Sequence, residues 1–131
     1  MSRVLHFEIQ ADDVDRAKAF YAAAFGWSYE DYSGFTGSTY WGITTGPKEE
    51  PGIDGGLLPR PAATPGQGQG TNAYVCTVGV GDYDTTERLI LEAGGQVALP
   101  KMALPGMAWQ GDYLDTEGHT LRIPPPEPGA A

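Results

Sequence analysis

Two hydrophobic patterns of different period follow each other at the start of the chain. Residues 5–9, LHFEI, alternate apolar and polar side chains, which predicts a β-strand with one apolar face. His6 and Glu8 lie on the opposite, polar face of that strand. Residues 14–25 then have apolar side chains at helical spacing after aspartates that can cap a helix, and Gly26 is typical of a helix end. The sequence therefore begins with a strand and an amphipathic helix.

Three short strands are predicted after this helix, because aromatic and threonine residues are interrupted there by glycine turns, in WSYEDY, GSTYWGITTG and IDGGLL. Residues 59–70 have no apolar periodicity and many turn formers, which indicates a linker. The same order of elements then begins again, with a strand in NAYVCTV, a helix capped by Asp82, and strands in GQVALP, MAWQGDYLD and HTLRI. Asp13 and Gly26 of the first helix correspond to Asp82 and Gly95 of the second. The chain therefore contains an internal repeat.

This repeat predicts an α+β fold of two βαβββ modules. We expect the modules to form a curved mixed sheet with the helices on its convex face, which leaves His6 and Glu8 on the concave face. One domain is expected over residues 1–131, comprising module one at about 3–58, the linker at 59–70, module two at 71–123 and a frayed tail at 124–131.

Composition narrows the class of partner. The 17 acidic residues outnumber the 8 basic residues and give a formal net charge of −9, which argues against a general binder of nucleic acid or of anionic membranes. The single cysteine, Cys76, excludes an internal disulfide and a multi-cysteine metal site, and its strand position predicts a buried thiol. The chain has no signal-peptide pattern and no apolar run of membrane-spanning length, so we expect a cytoplasmic protein.

Four segments, taken in order, resemble the vicinal oxygen chelate superfamily, which includes glyoxalase I, bleomycin-resistance proteins and extradiol dioxygenases. They are LHFEIQADDVDRAKAFYAAAFGW, GIDGGLLPRP, AGGQVALPKMALPGMAW and YLDTEGHTLRI, and together they span nearly the whole chain. The chain looks most like the bacterial subgroup of predicted enzymes related to lactoylglutathione lyase. The resemblance implies paired βαβββ modules, a homodimer, and a small-molecule site in the cup of the sheet.

The resemblance also implies a divalent metal held by four side chains, one from each of four strands, which acts as a Lewis acid on the substrate. His6 is the only residue of this chain that matches a ligand position. The other three positions fall at Gly55 and Gly56, at Val75, and at Arg122, whose guanidinium would repel a dication. We therefore expect no metal and no other cofactor.

A divalent-metal site remains the alternative if a strand register differs by one residue, because Asp54 or Glu8 would then substitute as a ligand. In dimeric relatives, the first strand of one subunit and the last strand of the other contribute to one cup. The resemblance thus implies that His6 and Glu8 face Arg122 of the partner subunit, and that this trio anchors a polar or anionic group of the ligand. A purely structural Glu8–Arg122 ion pair is the alternative interpretation.

His6 and Glu8 are also the candidate catalytic residues, as an acid–base group and as a proton acceptor. The side chains expected around the apolar part of the ligand are Trp41, Met107 and Trp109, with Tyr40 and Met102 beside them. Core packing is the alternative for each of these. The segment PKMALPGMAW is a candidate cavity wall or lid, and His119 is interpreted as a surface turn residue.

The leading hypothesis is a metal-independent member of this superfamily that binds a small organic molecule in its cup. The first alternative is a divalent-metal-dependent, glyoxalase-like lyase or dioxygenase, which rests on His6 and on the fold. The second alternative is a non-catalytic, drug-sequestering protein of the bleomycin-resistance kind. The sequence leaves open which molecule is bound and whether a reaction is catalysed, because function in such folds depends on the site.

Overall fold

The structure is a computed structural model that describes residues 3–61, 74–104 and 107–124, with all of their side chains except those of Thr36 and residues 102–109. The chain divides into two compact units, Met1–Thr64 and Pro65–Ala131, which we call the first and the second unit. Each unit has its own four-stranded sheet.

The first unit contains a strand, a helix and three further strands, with one short extra helix that the sequence did not predict. Its elements are β1 Phe7–Ala11, α1 Val14–Phe25, β2 Ser28–Asp31, α2 Ser33–Thr36, β3 Trp41–Thr44 and β4 Gly55–Pro59. The strands lie in the order β1-β4-β3-β2, and β1 pairs with β4 in parallel while the other neighbours are antiparallel. Strand β4 is therefore an inner strand with a neighbour on each side.

Helix α1 begins and ends where the sequence predicts. The Asp13 side chain accepts a hydrogen bond from the backbone N–H of Arg16 at 3.0 Å, and Gly26 adopts a left-handed φ of 76° at the helix end. The buried side chains of the helix are Ala17, Phe20, Tyr21 and Ala24. Ala17 packs in one apolar core with sheet residues, namely Ala11, Ile43 and Leu57. The apolar stripe of the sequence is thus the face that α1 turns toward the sheet.

Strand β1 begins later than the sequence predicts. The prediction started at Leu5, but that side chain is 81% exposed, and the pairing of β1 with β4 begins only at Phe7, opposite Gly55. A strand continues only where a neighbour satisfies its backbone groups, and the β4 pairing offers none to earlier residues. The predicted alternation is nevertheless confirmed, because the side chains on the core side of β1 are Phe7, Ile9 and Ala11.

The second unit repeats the order of the first. Its elements are β5 Cys76–Thr77, α3 Tyr83–Glu92, β6 Gln96–Leu104, β7 Met107–Leu114 and β8 Thr120–Ile123. The strands lie in the order β5-β8-β7-β6, with β5 parallel to β8 and the other pairs antiparallel. Each unit therefore has a mixed sheet in which the first strand pairs with the last, and the predicted α+β fold with two βαβββ units is confirmed.

Two details of the second unit differ from the predicted repeat. Strand β5 contains only Cys76 and Thr77, and residues 74–77 are all exposed, so Cys76 is exposed rather than buried. Helix α3 ends at Glu92, and the left-handed φ of 100° belongs to Gly94 rather than to Gly95. With 10 residues in α3 and 12 in α1, the repeat matches in order of elements but not residue by residue.

Replacing Gly55 by alanine is expected to destabilise the first unit. A Cβ atom at this position would lie 2.5 Å from the backbone carbonyl oxygen of Phe7, which the pairing of β1 with β4 holds in place. Overpacking of this kind costs about 1–3 kcal/mol. Gly46→Ala is the matched control, because no atom lies within 4 Å of its Cβ position. Urea unfolding should show a lower free energy of unfolding for Gly55→Ala alone, and equal values for both variants would contradict this packing.

Candidate functional site

A row of four paired residues crosses the sheet of the first unit. Glu8 of β1 pairs with Gly56 of β4. Gly56 pairs with Gly42 of β3, which in turn pairs with Glu30 of β2. These residues alternate with the core residues of the same strands, so they face away from α1, and we call this side the open face. The row places a carboxylate at each end and two positions without side chains between them.

Tyr40 covers one of the two glycines. A Cβ atom at Gly56 would lie 2.0 Å from the Tyr40 hydroxyl, so the phenol takes the space that a side chain would need. The Tyr40 hydroxyl donates a hydrogen bond to Glu8 Oε2 at 2.8 Å. His6 Nε2 lies 3.0 Å from the hydroxyl oxygen of Tyr40. Because the hydroxyl proton points to Glu8, we assign the second bond to a proton on His6 Nε2. The result is a chain of hydrogen bonds from His6 through Tyr40 to Glu8.

The protonation of Tyr40 follows from this arrangement. Burial raises the pKa of the phenol first, and both the hydrogen bond to Glu8 and the charge of Glu8 raise it further. A phenolate beside the carboxylate would face a like charge and lose the hydrogen bond that it donates. Tyr40 therefore remains a neutral donor at physiological pH.

Tyr32 covers the second glycine in the same way. A Cβ atom at Gly42 would lie 2.5 Å from Tyr32 Cε2, and the Tyr32 hydroxyl donates to Glu30 Oε2 at 2.8 Å. The hydrogen bond to Glu30 is the main cause that raises the pKa of Tyr32. The segment between the two tyrosines is held locally, because the backbone N–H of Tyr40 donates to Ser33 Oγ at 3.0 Å. Both tyrosine rings are thus tied to the open face through a carboxylate.

A depression of about 180 Å³ lies on the open face. The side chains that line it include His6, Glu30, Tyr32, Thr44 and Asp54. The Asp54 carboxylate accepts hydrogen bonds from the backbone N–H of Thr45 at 2.9 Å and from its hydroxyl at 3.2 Å, which fixes the loop before β4. Pockets for drug-sized ligands usually enclose about 300–1,000 Å³, so this depression has room for one chemical group.

Trp41 lies on the other side of the sheet. Its ring packs against the core under α1, and the Lys18 ammonium is 3.3 Å from the ring centroid in a cation–π contact. Alternation along β3 explains this position, because Trp41 and the buried Ile43 share one face. The residue that reaches the open face is its neighbour Tyr40. The sequence had placed both aromatic residues around the ligand.

Arg122 has a carboxylate partner within its own sheet that the sequence analysis missed. Its Nε donates to Asp112 Oδ1 at 2.7 Å and its Nη2 donates to Asp112 Oδ2 at 3.2 Å, so the contact is bidentate. The two residues are directly paired across β7 and β8. The Asp112 carboxylate raises the pKa of the guanidinium. The cation that was expected to balance Glu8 or to hold an anionic ligand is thus already engaged.

The remaining predicted residues fall into two groups. The side chains of Met102, Met107 and Trp109 lie outside the described residues, as does the tip of the β6–β7 hairpin. His119 follows a tight turn, where its Nδ1 lies 2.8 Å from Asp115 Oδ2 and its backbone N–H donates to Asp115 Oδ1 at 2.8 Å. These contacts give His119 a local structural partner.

The superfamily's metal does not fit the residues found here. The fourth-strand position falls at two glycines, and the Tyr40 hydroxyl takes the space above Gly56. Val75 has no ligand atom, and Arg122 is a cation bonded to Asp112. Nowhere in residues 3–61, 74–104 and 107–124 do three histidine, cysteine, aspartate or glutamate side chains come together as a metal site would require. Of the four positions that the resemblance implies, the one with a ligand atom is His6, and its Nε2 bonds Tyr40.

Comparisons with known proteins agree with the fold. A family model described as bleomycin resistance protein-like N-terminal matches residues 3–36. No curated protein sequence matches this chain. Among solved structures, the fosfomycin resistance protein FosX of Listeria monocytogenes has a TM-score of 0.72 at 14% identity, covering 95% of this chain and 91% of that one. A glyoxalase/bleomycin resistance protein/dioxygenase family enzyme of Burkholderia phytofirmans has a TM-score of 0.65 at 18% identity, covering 90% and 94%.

A glyoxalase I mutant of Zea mays has a TM-score of 0.68 at 17% identity, covering 92% of this chain but 45% of that one. The present chain therefore spans about half the length of the maize protein. At these identities the likeness is one of fold. Together with the match at residues 3–36, it confirms the resemblance to the vicinal oxygen chelate superfamily. The helices in the described part of the chain are all too short or too polar to cross a membrane.

Glu8→Gln is expected to lower the pKa of Tyr40 toward the ordinary tyrosine value, because it removes the charge that opposes the phenolate. The tyrosine ring carbons, followed by NMR during a pH titration, give this pKa. Because folding raises the pKa of Tyr40, the folded chain binds the phenol proton more tightly than the unfolded chain does. The free energy of unfolding gained in this way is present below a pH of about 10 and is lost as the pH rises above it. Glu49→Gln, on an exposed turn, is the control. An unchanged Tyr40 midpoint in Glu8→Gln would contradict the hydrogen bond.

Proposed function

We propose that this chain, which has the fold of the vicinal oxygen chelate superfamily, binds a small organic molecule on the open face of its first unit without that superfamily's metal. The position of Tyr40 is the observation that carries the proposal. Its hydroxyl fills the space above Gly56 and bonds both Glu8 and the one matching ligand residue, His6. A phenol therefore engages the polar groups at which the superfamily's metal is expected.

The open face offers hydrogen-bonding groups for a ligand. The His6 side chain is 52% exposed, and with Nε2 donating to Tyr40, its Nδ1 is an acceptor in the neutral ring. Glu8 and Glu30 each accept one hydrogen bond from a tyrosine hydroxyl, and their carboxylates can accept further hydrogen bonds. Tyr40 has a raised pKa and acts as a donor rather than as a base. These properties support binding as the function of the site.

Two other functions remain candidates. A drug-sequestering protein is favoured by the bleomycin-resistance match at residues 3–36, and it differs from the main proposal in the ligand rather than in the site. The metal-dependent lyase or dioxygenase would need Glu8 or Asp54 as substitute ligands. To bind a metal, Glu8 would have to give up the hydrogen bond that Tyr40 donates to it. Asp54 would have to give up the hydrogen bonds that Thr45 donates.

A metabolite screen by thermal unfolding tests the main proposal. A compound at a hundredfold its dissociation constant adds about 2.7 kcal/mol to the free energy of unfolding. We expect such a compound to act equally in EDTA and to lose its effect in Gly56→Ala, whose Cβ would displace the Tyr40 hydroxyl, but not in the control Gly46→Ala. Stabilisation that requires a divalent metal, or stoichiometric nickel, zinc, iron or manganese in the purified protein, would contradict the proposal.

We also propose that the chain forms a homodimer. Two observations support the proposal. The match covers only 45% of the maize glyoxalase I chain, so two copies of this chain approach its length. Two-fold assemblies are also the commonest kind of oligomer. Light scattering should give about twice the chain mass of 13.9 kDa. A mass near that of one chain throughout the micromolar range would contradict it.

A further inference from the structure

We propose that the depression on the open face binds an organic cation, namely a small alkylammonium group. This inference rests on the proposed function and adds the chemical class of the ligand. It differs from the expectation drawn from the sequence, which placed a polar or anionic group beside a guanidinium. Three properties of the depression support it: its charge, its aromatic wall and its size.

Three carboxylates give the open face its negative charge. Glu30 and Asp54 line the depression, and Glu8 lies at the other end of the paired row. The hydrogen bonds found for these carboxylates come from Tyr32, Thr45 and Tyr40, which are neutral donors. The donors orient the carboxylates and leave their charge in place. The described residues that line the depression include neither lysine nor arginine.

Two basic side chains of the first unit, Lys18 and Arg60, contact groups outside the depression. Lys18 extends from α1 over Trp41, on the far side of the sheet. Arg60 pairs with Asp12 at 3.1 Å, beyond the end of β4. Clefts lined by one sign of charge concentrate ligands of the opposite sign. An anionic ligand would therefore meet repulsion in the depression, whereas a cation would be attracted.

An aromatic wall complements this charge. The Tyr32 ring lies over Gly42, and its hydroxyl is held by Glu30, so the ring is fixed beside a carboxylate. Phe35 of α2 is 89% exposed, and its ring centroid lies 6.2 Å from that of Tyr32 at an angle of 51°. Ammonium groups bind to aromatic faces, and aromatic side chains grouped with carboxylates are the usual means of holding alkylated ammonium groups. Tyr32 thus gives the depression an aromatic lining, and the exposed Phe35 ring lies against it.

The size of the depression restricts the ligand. At about 180 Å³ it has room for an ammonium with its substituents, and the rest of a larger molecule would extend over the neighbouring surface. Thr44, at the edge of the depression, adds a hydroxyl that can accept a hydrogen bond from an N–H of a primary or secondary amine.

NMR titration with three probes tests the inference. The probes are choline, the neutral alcohol in which carbon replaces the choline nitrogen, and acetate. Choline should shift the backbone amides of Gly42 and Thr44, and the neutral alcohol should bind about three- to tenfold more weakly, since it lacks the charge but keeps the shape. Acetate should leave these amides unchanged. Choline binding should also weaken as salt is added.

Four variants assign the effect to the depression. Glu30→Gln and Tyr32→Leu should each raise the dissociation constant of choline about threefold or more, because one loses the charge and the other the aromatic ring. Glu49→Gln removes the same charge from an exposed turn and should leave it unchanged. Tyr32→Phe keeps the ring but loses the hydrogen bond to Glu30, so its dissociation constant should lie below that of Tyr32→Leu. This comparison separates the aromatic ring from the hydroxyl. Urea unfolding verifies that each variant is folded.

The outcomes separate this inference from the proposed function. If the neutral alcohol or acetate binds at Gly42 and Thr44 as well as choline does, the cation inference is overturned while the open face remains a ligand site. If choline shifts neither amide, the inference is also overturned, and the metabolite screen decides independently whether the open face binds anything. Weaker choline binding in Glu30→Gln and Tyr32→Leu, with Glu49→Gln unchanged and Tyr32→Phe binding choline more tightly than Tyr32→Leu does, would establish it.

Discussion

Two consecutive glycines in an inner strand allow aromatic side chains to approach the first sheet from both sides. At Gly55 a Cβ atom would lie 2.7 Å from the Phe7 ring, on the side of α1, and at Gly56 it would overlap the Tyr40 hydroxyl on the open face. Glycine weakens a strand interior because it loses more conformational freedom on folding. That cost is offset here by the packing of Phe7 on one side and by the hydrogen bonds of Tyr40 on the other.

The two sides of this sheet have opposite chemical character. On the α1 side, an apolar core is bordered by the Lys18 ammonium, which lies over Trp41. On the open face, Glu8 and Glu30 end a row whose centre has no side chains, and each carboxylate accepts a hydrogen bond from a tyrosine hydroxyl. Pairing a carboxylate with a neutral phenol orients it without cancelling its charge. Lys18 therefore lies with the core, whereas Glu8 and Glu30 lie on the surface proposed for the ligand.

The order of elements, apart from the short helix α2, could be predicted from sequence because each of the others carries a local signal. Asp13 and Gly26 delimit α1, and the alternation around Phe7 identifies the buried side of β1. The exact start of β1 could not be predicted, since it depends on where β4 begins to pair, and this is a contact between distant parts of the chain. Alternation within NAYVCTV likewise could not show that residues 74–77 are all exposed, Cys76 among them.

The candidate site was only partly predictable. His6 and Glu8 share a face by alternation alone, and the glycines at the fourth-strand position argued against a metal. That Tyr40 joins His6 and Glu8 depends on the register of β1, β4 and β3, which places Gly56 next to both Glu8 and Gly42. The signal for this site is a pair of glycines, Gly42 and Gly56, that face each other on neighbouring strands and are covered by tyrosines. Patterns within a single strand do not show such a pair. The Asp112 partner of Arg122 was missed for the same reason, because direct pairing across β7 and β8 brings the two together.

The central claim is that the Tyr40 phenol, and not a metal, occupies the position above Gly56. Nuclear Overhauser contacts between the Tyr40 ring protons and the α-protons of Gly56 test it most directly, measured with and without two equivalents of zinc. The account predicts strong contacts whose intensity zinc does not change. Absence of these contacts in the free protein, or their loss when zinc is added, would contradict it.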